Sequence, residues 1–328
     1  MGQKIVILGT GGTIAGQSAS ALDHTGYTAG QVEVADLLAA LPLDSLGPGR
    51  FITEQVAQLD SKDMAFDVWV KLAQRVAHFL SQADVQAIVI THGTDTLEET
   101  AYFLHALLAP GKPVVLTCAM RPATALAPDG PQNMMDALAL AGSSGSCGVS
   151  VVCAGAVYGP EDVQKVHPYR LNAFSGGDAG PIAYVEDGQV RLLRAWPPAP
   201  AEQGHAHAAL VTQLSDAVWP RVEVVMSYAG ADGLAVRALV DAGVQGLVVA
   251  TTGNGTVHQD LEAALVLAMQ QGVRVLRATR CTEGRMLPGG HQSLPAAFGL
   301  NPVKARIALM LALMLSNQDS SRNSAAGV

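Results

Sequence analysis

The 328-residue sequence has few charged residues and few aromatic residues. Charged side chains make up 15% and aromatic ones 5%, and the sequence has 20 basic and 28 acidic residues. The resulting formal charge of −8 argues against a nucleic-acid partner, because phosphate binding depends on clustered Lys and Arg. No uninterrupted apolar run reaches the length of a membrane span, so no membrane partner is expected. Small solutes are therefore the predicted ligands.

Cysteine is also scarce, with four residues and no Cys-x-x-Cys spacing. Cys118 and Cys153 lie in apolar, strand-like runs, which is typical of buried free thiols. The first residues carry none of the regions of a secretory signal, so a cytoplasmic location is expected. The mean hydropathy of +0.26 with so little charge favours apolar surface buried between subunits, hence an oligomer.

Alternating strand-like and helix-like segments predict an α/β fold in two domains. Residues 1–194 are expected to form the larger N-terminal domain, with a doubly wound, mostly parallel sheet and a hairpin at 181–193. The proline-rich segment 195–215 is predicted to be a linker. Residues 216–328 are expected to form a smaller parallel α/β domain. Its last helix should end near residue 315 and leave a disordered tail at 316–328.

The predicted first strand runs into a loop of glycines around two threonines, Thr10 and Thr13. The carboxyl edge of a parallel sheet is where open α/β folds bind ligands. A dinucleotide fingerprint is excluded, because Ile14 stands where its third glycine is required.

A second loop of this kind follows the strand-like run 87–90. The structural alternative here is a capping box, with Asp95 or Thr96 followed three residues later by Glu98 or Glu99. A threonine hydroxyl is a weak nucleophile that needs a base or a neighbouring charge. Glycine-rich backbone can supply N–H groups to an oxyanion. The two loops together predict nucleophilic chemistry on a carboxamide.

With these loops the sequence resembles the bacterial-type L-asparaginase family, also called the asparaginase/glutaminase family. The matching segments, in the family's order, are 10–16, 91–103, 119–122 with 129–131, and 300–302 with 304–306. The resemblance implies hydrolysis of L-asparagine to L-aspartate and ammonia through an acyl-threonine intermediate, with no cofactor and no metal. His205 and His207 flank one residue but have no further ligands near them in sequence.

The resemblance also implies roles for individual residues. Thr13 corresponds to the nucleophile, Tyr27 to the tyrosine that assists it, and Thr94, Asp95 and Lys165 to a second triad in which an uncharged lysine acts as base. The implied substrate contacts are Ser61 for the α-carboxylate, Asp95 for the α-ammonium, backbone groups of Gly12, Gly93 and Ala119, and Asn254 from a neighbouring subunit. The family assembles as a homotetramer, a dimer of dimers.

Two departures fall on the pocket for the substrate α-ammonium. Lys62 replaces a glutamine found after the binding serine in close relatives, and segment 288–292 has no acid where they carry glutamate. A like charge near 4 Å is worth on the order of 4 kcal/mol at an effective dielectric near 20, so weak binding of free asparagine is expected. A salt bridge from Lys62 to Asp95 or Glu283, or a solvent-facing Lys62, would soften this effect.

The departures leave other functions open. One is an amidase for an asparagine-like substrate whose α-amino group is modified or absent, and another is an amidotransferase subunit. Outside catalysis, the fold could serve as an amide-binding sensor.

Overall fold

Two units make up the chain, Met1–Ser215 and Asp216–Val328. The computed structural model describes residues 3–43, 49–196, 210–214, 217–288 and 293–325, with side chains described through residue 316. The predicted linker at 195–215 lies mostly outside these residues and stays a prediction. Among the described residues, no helix combines the length and the apolar character needed to cross a membrane.

In the part of the first unit that the structure describes, ten strands and four α-helices are defined. The strands are β1 (Lys4–Gly11), β2 (Phe51–Leu59), β3 (Val85–Thr91), β4 (Val114–Thr117), β5 (Val149–Cys153), β6 (Ala156–Tyr158), β7 (Gln164–Lys165), β8 (Phe174–Ser175), β9 (Ala183–Glu186) and β10 (Gln189–Leu192). The helices are α1 (Val34–Ala39), α2 (Phe66–Leu80), α3 (Leu97–Leu108) and α4 (Gly130–Gly142).

Eight of these strands form one sheet in the order β10-β9-β6-β5-β4-β3-β1-β2, and β7 pairs with β8 separately. Strands β2, β1, β3, β4 and β5 are parallel, whereas β6, β9 and β10 add antiparallel pairs, of which β9 and β10 form the predicted hairpin. Burial explains the apolar runs, since β1 residues Ile5 and Ile7 pack with α1 and α4 in one core cluster. Helix α2 packs on β2 and β3, and α3 packs on β5.

The order of the strands places a switch point between β1 and β3. The chain leaves β1 for β2 on one side, and it then continues outward from β3 to β4 and β5 on the other. Ligands of open α/β sheets bind at the carboxyl ends of the strands on either side of such a switch. Both threonine loops begin there, directly after β1 and β3.

The second unit is a three-stranded parallel sheet with helices. Its strands are β11 (Val222–Met226), β12 (Gly246–Thr251) and β13 (Arg274–Thr279), in that order, and its helices are α5 (Leu234–Asp241), α6 (Gln259–Gln270) and α7 (Pro302–Ala325). The predicted two-part α/β architecture, with its mostly parallel first sheet and its hairpin, is confirmed.

The structure differs from the prediction at several elements. Helix α1 and the short strands β6, β7 and β8 were not predicted. Strand β2 was not predicted either, because polar residues such as Glu54 and Gln55 interrupt the apolar pattern of a half-buried edge strand. The predicted helix end near residue 315 is corrected, since α7 continues to Ala325. The reason is local: no Gly or Pro interrupts the chain until Gly327. The last three residues of the predicted tail lie outside the described residues.

Candidate active site

The loops after β1 and β3 contact each other through their backbones. The Thr10 hydroxyl donates to the carbonyl of Thr91 at 2.9 Å, which ties the two strand ends together. Gly12 has φ +80°, and a Cβ at this position would lie 2.3 Å from Cα of Gly93. No side chain fits between the loops, so the glycines bring the two threonine centres to one place.

The first centre consists of Thr13 and Tyr27. Thr13 lies in a short 3₁₀ turn, is buried, and its Oγ1 is 2.6 Å from the Tyr27 hydroxyl. The segment that carries Tyr27 folds back through two backbone hydrogen bonds between Gln17 and Thr28. A Cβ on Gly16 would meet the Tyr27 ring at 2.8 Å. Gly16 therefore makes room for the ring, a role that the sequence motif did not reveal.

The second centre consists of Thr94, Asp95 and Lys165. The Lys165 ammonium Nζ donates to Thr94 Oγ1 at 2.9 Å and to Asp95 Oδ1 at 2.6 Å. The backbone N–H of Lys165 donates to Glu98 Oε2 at 2.7 Å, and the Glu98 side chain is buried in the first turn of α3. Lys165 is thus within hydrogen-bond reach of both of the residues expected to act with it. Glu98, considered in the sequence only for capping, fixes the strand that carries the lysine.

Ser61 joins the end of β2 to the second loop. It is 2% exposed, and its Oγ accepts a hydrogen bond from the backbone N–H of Asp95 at 3.1 Å. Thr96 precedes α3 as its N-cap residue, but its hydroxyl donates to the Ser61 carbonyl at 2.8 Å. The Thr96 side chain therefore makes no capping hydrogen bond to α3, unlike the threonine of a capping box. The loop's polar groups hold the loop itself rather than the helix.

The Lys62 side chain interacts with acidic residues next to it in the sequence. Its Nζ forms an ion pair with Asp63 and lies 3.8 Å from Asp60 Oδ2, and 59% of its side chain is exposed. The hydrogen bond to Asp63 raises the pKa of Lys62. Neither Asp95 nor Glu283 is its partner, so the structure favours the solvent-facing orientation among those considered.

The loop after β4 contains Ala119, which is fully buried. Asp129 accepts hydrogen bonds from the backbone N–H groups of Met120 and Arg121, both at 2.9 Å. The Asn133 amide donates to the Cys118 carbonyl at 2.9 Å, and its Oδ1 accepts from the N–H of Ala154 at 3.0 Å. This amide thereby fixes the ends of β4 and β5. Nothing in the sequence motif distinguished Asn133 from an ordinary helix residue.

Asn254 lies in the second unit, in a turn after β12. Its Oδ1 accepts from the N–H of Leu287 at 2.7 Å. Its expected contribution to a neighbouring subunit's site stays a prediction. Segment 288–292 was expected to lack an acid, and its residues 289–292 lie outside the described residues. His205 and His207 also lie outside them. Among the described side chains, no group of three or more His, Cys, Asp or Glu residues is arranged to hold a metal ion.

The arrangement has the groups that acyl transfer by a hydroxyl requires. One buried hydroxyl is hydrogen-bonded to a phenol, and a second is hydrogen-bonded to an amine that pairs with a carboxylate. Both lie at the carboxyl edge of a parallel sheet. The fold and the site together therefore define a two-unit α/β protein suited to nucleophilic chemistry on a carbonyl group.

Comparison with known proteins narrows this class to a family. A family model described as asparaginase, N-terminal, matches residues 4–198, and one described as glutaminase/asparaginase C-terminal domain matches residues 221–323. The chain is 37% identical to L-asparaginase 2 of Escherichia coli strain K12, covering 94% of this chain and 88% of that protein. It is 36% identical to a glutaminase-asparaginase of Pseudomonas fluorescens biotype A, covering 97% and 88%.

Among solved structures, a probable cytoplasmic L-asparaginase from Campylobacter jejuni matches with a TM-score of 0.84 and 35% identity, covering 95% of each chain. The chain belongs to the asparaginase family. The resemblance predicted from the two threonine loops is confirmed.

Proposed function

We propose that this protein hydrolyses the side-chain amide of L-asparagine to L-aspartate and ammonia, with Thr13 as the nucleophile. The observation that carries the proposal is the pair of hydroxyl centres, Thr13 with Tyr27 and Thr94 with Lys165, on loops that touch through Gly12 and Gly93. Family membership supports the same reaction.

In the proposed first step, Thr13 Oγ1 attacks the amide carbon, its proton passes to the oxygen of Tyr27, 2.6 Å away, and the Tyr27 hydroxyl passes its own proton on towards the leaving nitrogen. Backbone N–H groups of the glycine-rich loop stabilise the negative oxygen. The C–N bond then breaks, the leaving nitrogen takes up a proton, and ammonia departs. An ester between the aspartyl group and Thr13 remains.

In the second step, water attacks the ester carbon and the C–O bond to Thr13 breaks. Thr94 and Lys165 are suited to move the proton of this water, since Lys165 Nζ lies 2.9 Å from Thr94 Oγ1. Lysine accepts a proton only in its uncharged form, so an incoming substrate ammonium that engages Asp95 would help to release the lysine proton.

For substrate binding, we propose that Ser61 holds the α-carboxylate and Asp95 the α-ammonium, with backbone groups of Gly12, Gly93 and Ala119 along the pocket. Half of the Asp95 side chain is exposed while its Oδ1 binds Lys165, which leaves carboxylate surface for an ammonium. This favours a substrate with a free α-amino group over one in which the group is modified or absent.

We further propose a homotetramer in the cytoplasm, in which Asn254 of one subunit completes the site of its neighbour. The free state of all four cysteines is compatible with a reducing compartment.

Ammonia release from L-asparagine by the purified protein tests the function. The wild type should release ammonia, Thr13→Ala should release none above background, and hydroxylamine added to the wild type should cleave the acyl-threonine ester and release aspartyl hydroxamate. Thr251→Ala is a matched control, because its buried hydroxyl donates to the Ala278 carbonyl within the sheet of the second unit. Equal rates for Thr13→Ala and the wild type, or no ammonia from either, would contradict the proposal.

A further inference from the structure

A buried histidine that the proposed mechanism does not use lies directly before the second threonine loop. His92 is fully buried at the end of β3, and its Nδ1 is 2.7 Å from the carbonyl oxygen of Gly93. A carbonyl oxygen only accepts hydrogen bonds, so Nδ1 must carry a proton. Its other nitrogen, Nε2, lies 2.9 Å from the Thr100 hydroxyl.

Residues of helices α2 and α3 fix the tautomer of His92 in which Nδ1 carries the proton. Trp69 of α2 donates its indole N–H to Thr100 Oγ1 at 2.9 Å, and an indole N–H can only donate. The hydroxyl of Thr100, on α3, thus receives one hydrogen bond and is free to give its proton to Nε2 of His92. Stacking of Trp69 on Phe103 at 4.8 Å holds the indole in place.

The chain of hydrogen bonds therefore runs in one direction, from Trp69 through Thr100 and His92 to the Gly93 carbonyl. That carbonyl belongs to the peptide bond between Gly93 and Thr94. A trans peptide is planar, so holding the carbonyl also fixes the direction of the Thr94 N–H. Gly93 needs this support, because a glycine has little conformational preference of its own.

We propose that His92 is a positioning residue, which as the neutral Nδ1–H tautomer orients the Gly93–Thr94 peptide and so holds Thr94 in register with Lys165. The inference rests on the proposed function for its effect on catalysis. Burial lowers the pKa of His92 to about 4, which keeps the ring uncharged at neutral pH. Oriented in this way, His92 never exchanges a proton with substrate.

Two pairs of variants test the role. His92→Leu removes the donor to Gly93, whereas the amide nitrogen of His92→Asn lies close to the position of Nδ1 and keeps it. Thr100→Val removes the hydroxyl that fixes the tautomer, whereas Thr100→Ser keeps it. We expect kcat for asparagine to fall by about tenfold or more in His92→Leu and Thr100→Val, with KM within about threefold of wild type.

Recovery of kcat in the conservative variants distinguishes a positioning role of His92 from a general loss of protein stability. His92→Asn and Thr100→Ser should recover most of the lost kcat, and thermal unfolding of each variant identifies any that fail to fold. Retention of wild-type kcat by His92→Leu, or equal losses in the Leu and Asn variants when both are folded, would overturn the proposal.

A second readout does not depend on turnover. In protein labelled with ¹⁵N-histidine, the ring signals of His92, assigned by their loss in His92→Asn, should show a protonated Nδ1 and an unprotonated Nε2 at neutral pH. A proton on Nε2 would refute the inference even if the enzyme is active. If the wild type releases no ammonia while His92 shows the expected tautomer, the proposed function fails and the hydrogen-bond assignment stands.

Discussion

Gly12 and Gly93 approach each other so closely that a Cβ on Gly12 would lie 2.3 Å from Cα and 2.4 Å from N of Gly93. Because both neighbouring atoms belong to the backbone, no rotamer change can relieve the clash. This close backbone contact joins the loop that carries Thr13 to the loop that carries Thr94. Any displacement of one glycine moves Thr13 relative to Thr94.

Gly12→Ala should therefore reduce kcat by at least about 100-fold, since a misplacement of about 1 Å in a catalytic site has an effect of that order. Gly188→Ala is the matched control. Gly188 has φ +72° with nothing within 4 Å of an added Cβ, so an alanine at this position would add backbone strain without a clash. This variant should lose about 1 kcal/mol of stability and keep wild-type kcat. Steady-state kinetics and thermal unfolding of both variants provide the comparison, and an active Gly12→Ala would contradict the tight-contact argument.

Lys165 should be required for turnover rather than for folding. Lys165→Met keeps the length of the side chain but removes the amine from Thr94, and kcat should fall by about 100-fold or more. Lys112→Met is a suitable control, because Lys112 Nζ binds the carbonyls of Leu80 and Gln82 instead of either threonine centre. If Lys165→Met and Lys112→Met show the same kcat for asparagine, Lys165 is not the base.

The two threonine loops could be recognised in the sequence because each loop is local. Thr13 and Thr94 each follow a strand within a short glycine-rich segment, so their surroundings are contained in a few consecutive residues. The mostly parallel character of the first sheet was also accessible, since alternating β and α segments favour parallel connections. Together these features predicted the two-part fold and the meeting of the two loops.

The supporting residues were not accessible in this way, because their partners are distant along the chain. Glu98 contacts the backbone 67 residues away, and Asn133 bridges the ends of β4 and β5. A buried carboxylate or amide of this kind looks like any polar residue of a helix until its partner is known. The orientation of Lys62 was equally undetermined, since acids on both sides of it in sequence compete with those of the pocket.

Lys62 should contribute little to substrate affinity. Its ammonium pairs with Asp60 and Asp63 at an exposed position, where interactions between charges are strongly screened. Lys62→Gln should therefore change KM for asparagine by less than about threefold, whereas Ser61→Ala should raise it by about tenfold or more. Kinetics at low and moderate ionic strength measure both effects. A large drop in KM for Lys62→Gln would restore the expectation that this lysine repels the substrate ammonium.

The cysteines should differ sharply in reactivity. Cys281 is exposed, and a hydrogen bond from Thr279 lowers the pKa of its thiol, which increases the thiolate fraction. Cys118 is fully buried, and its hydrogen bond with Cys153 together with burial raises its pKa. A disulfide-exchange reagent at pH 7 should label Cys281 fastest, and denaturation should be required to label Cys118 and Cys153. Peptide mapping after timed labelling, with Cys281→Ser as control, would expose any rapid reaction of the buried pair.

Acid should destabilise the fold partly through two histidines. Burial lowers the pKa values of His92 and His105 from 6.5 to about 4. Between these values the unfolded chain binds more protons than the native state, so stability falls as pH decreases through this window. From pH 6.5 to 5 the loss is about 2 kcal/mol for each histidine, if no acid compensates the new charge.

Compensation distinguishes the two histidines. Glu161 lies 3.9 Å from Nε2 of His105 and would attract a proton there, whereas the Gly93 carbonyl and the Thr100 hydroxyl, which hydrogen-bond to His92, are uncharged. His92→Asn should therefore flatten the fall of the unfolding temperature between pH 6.5 and 5 more than His105→Gln does. The reverse order, or no change of slope in either variant, would show that other groups control the acid sensitivity of the fold.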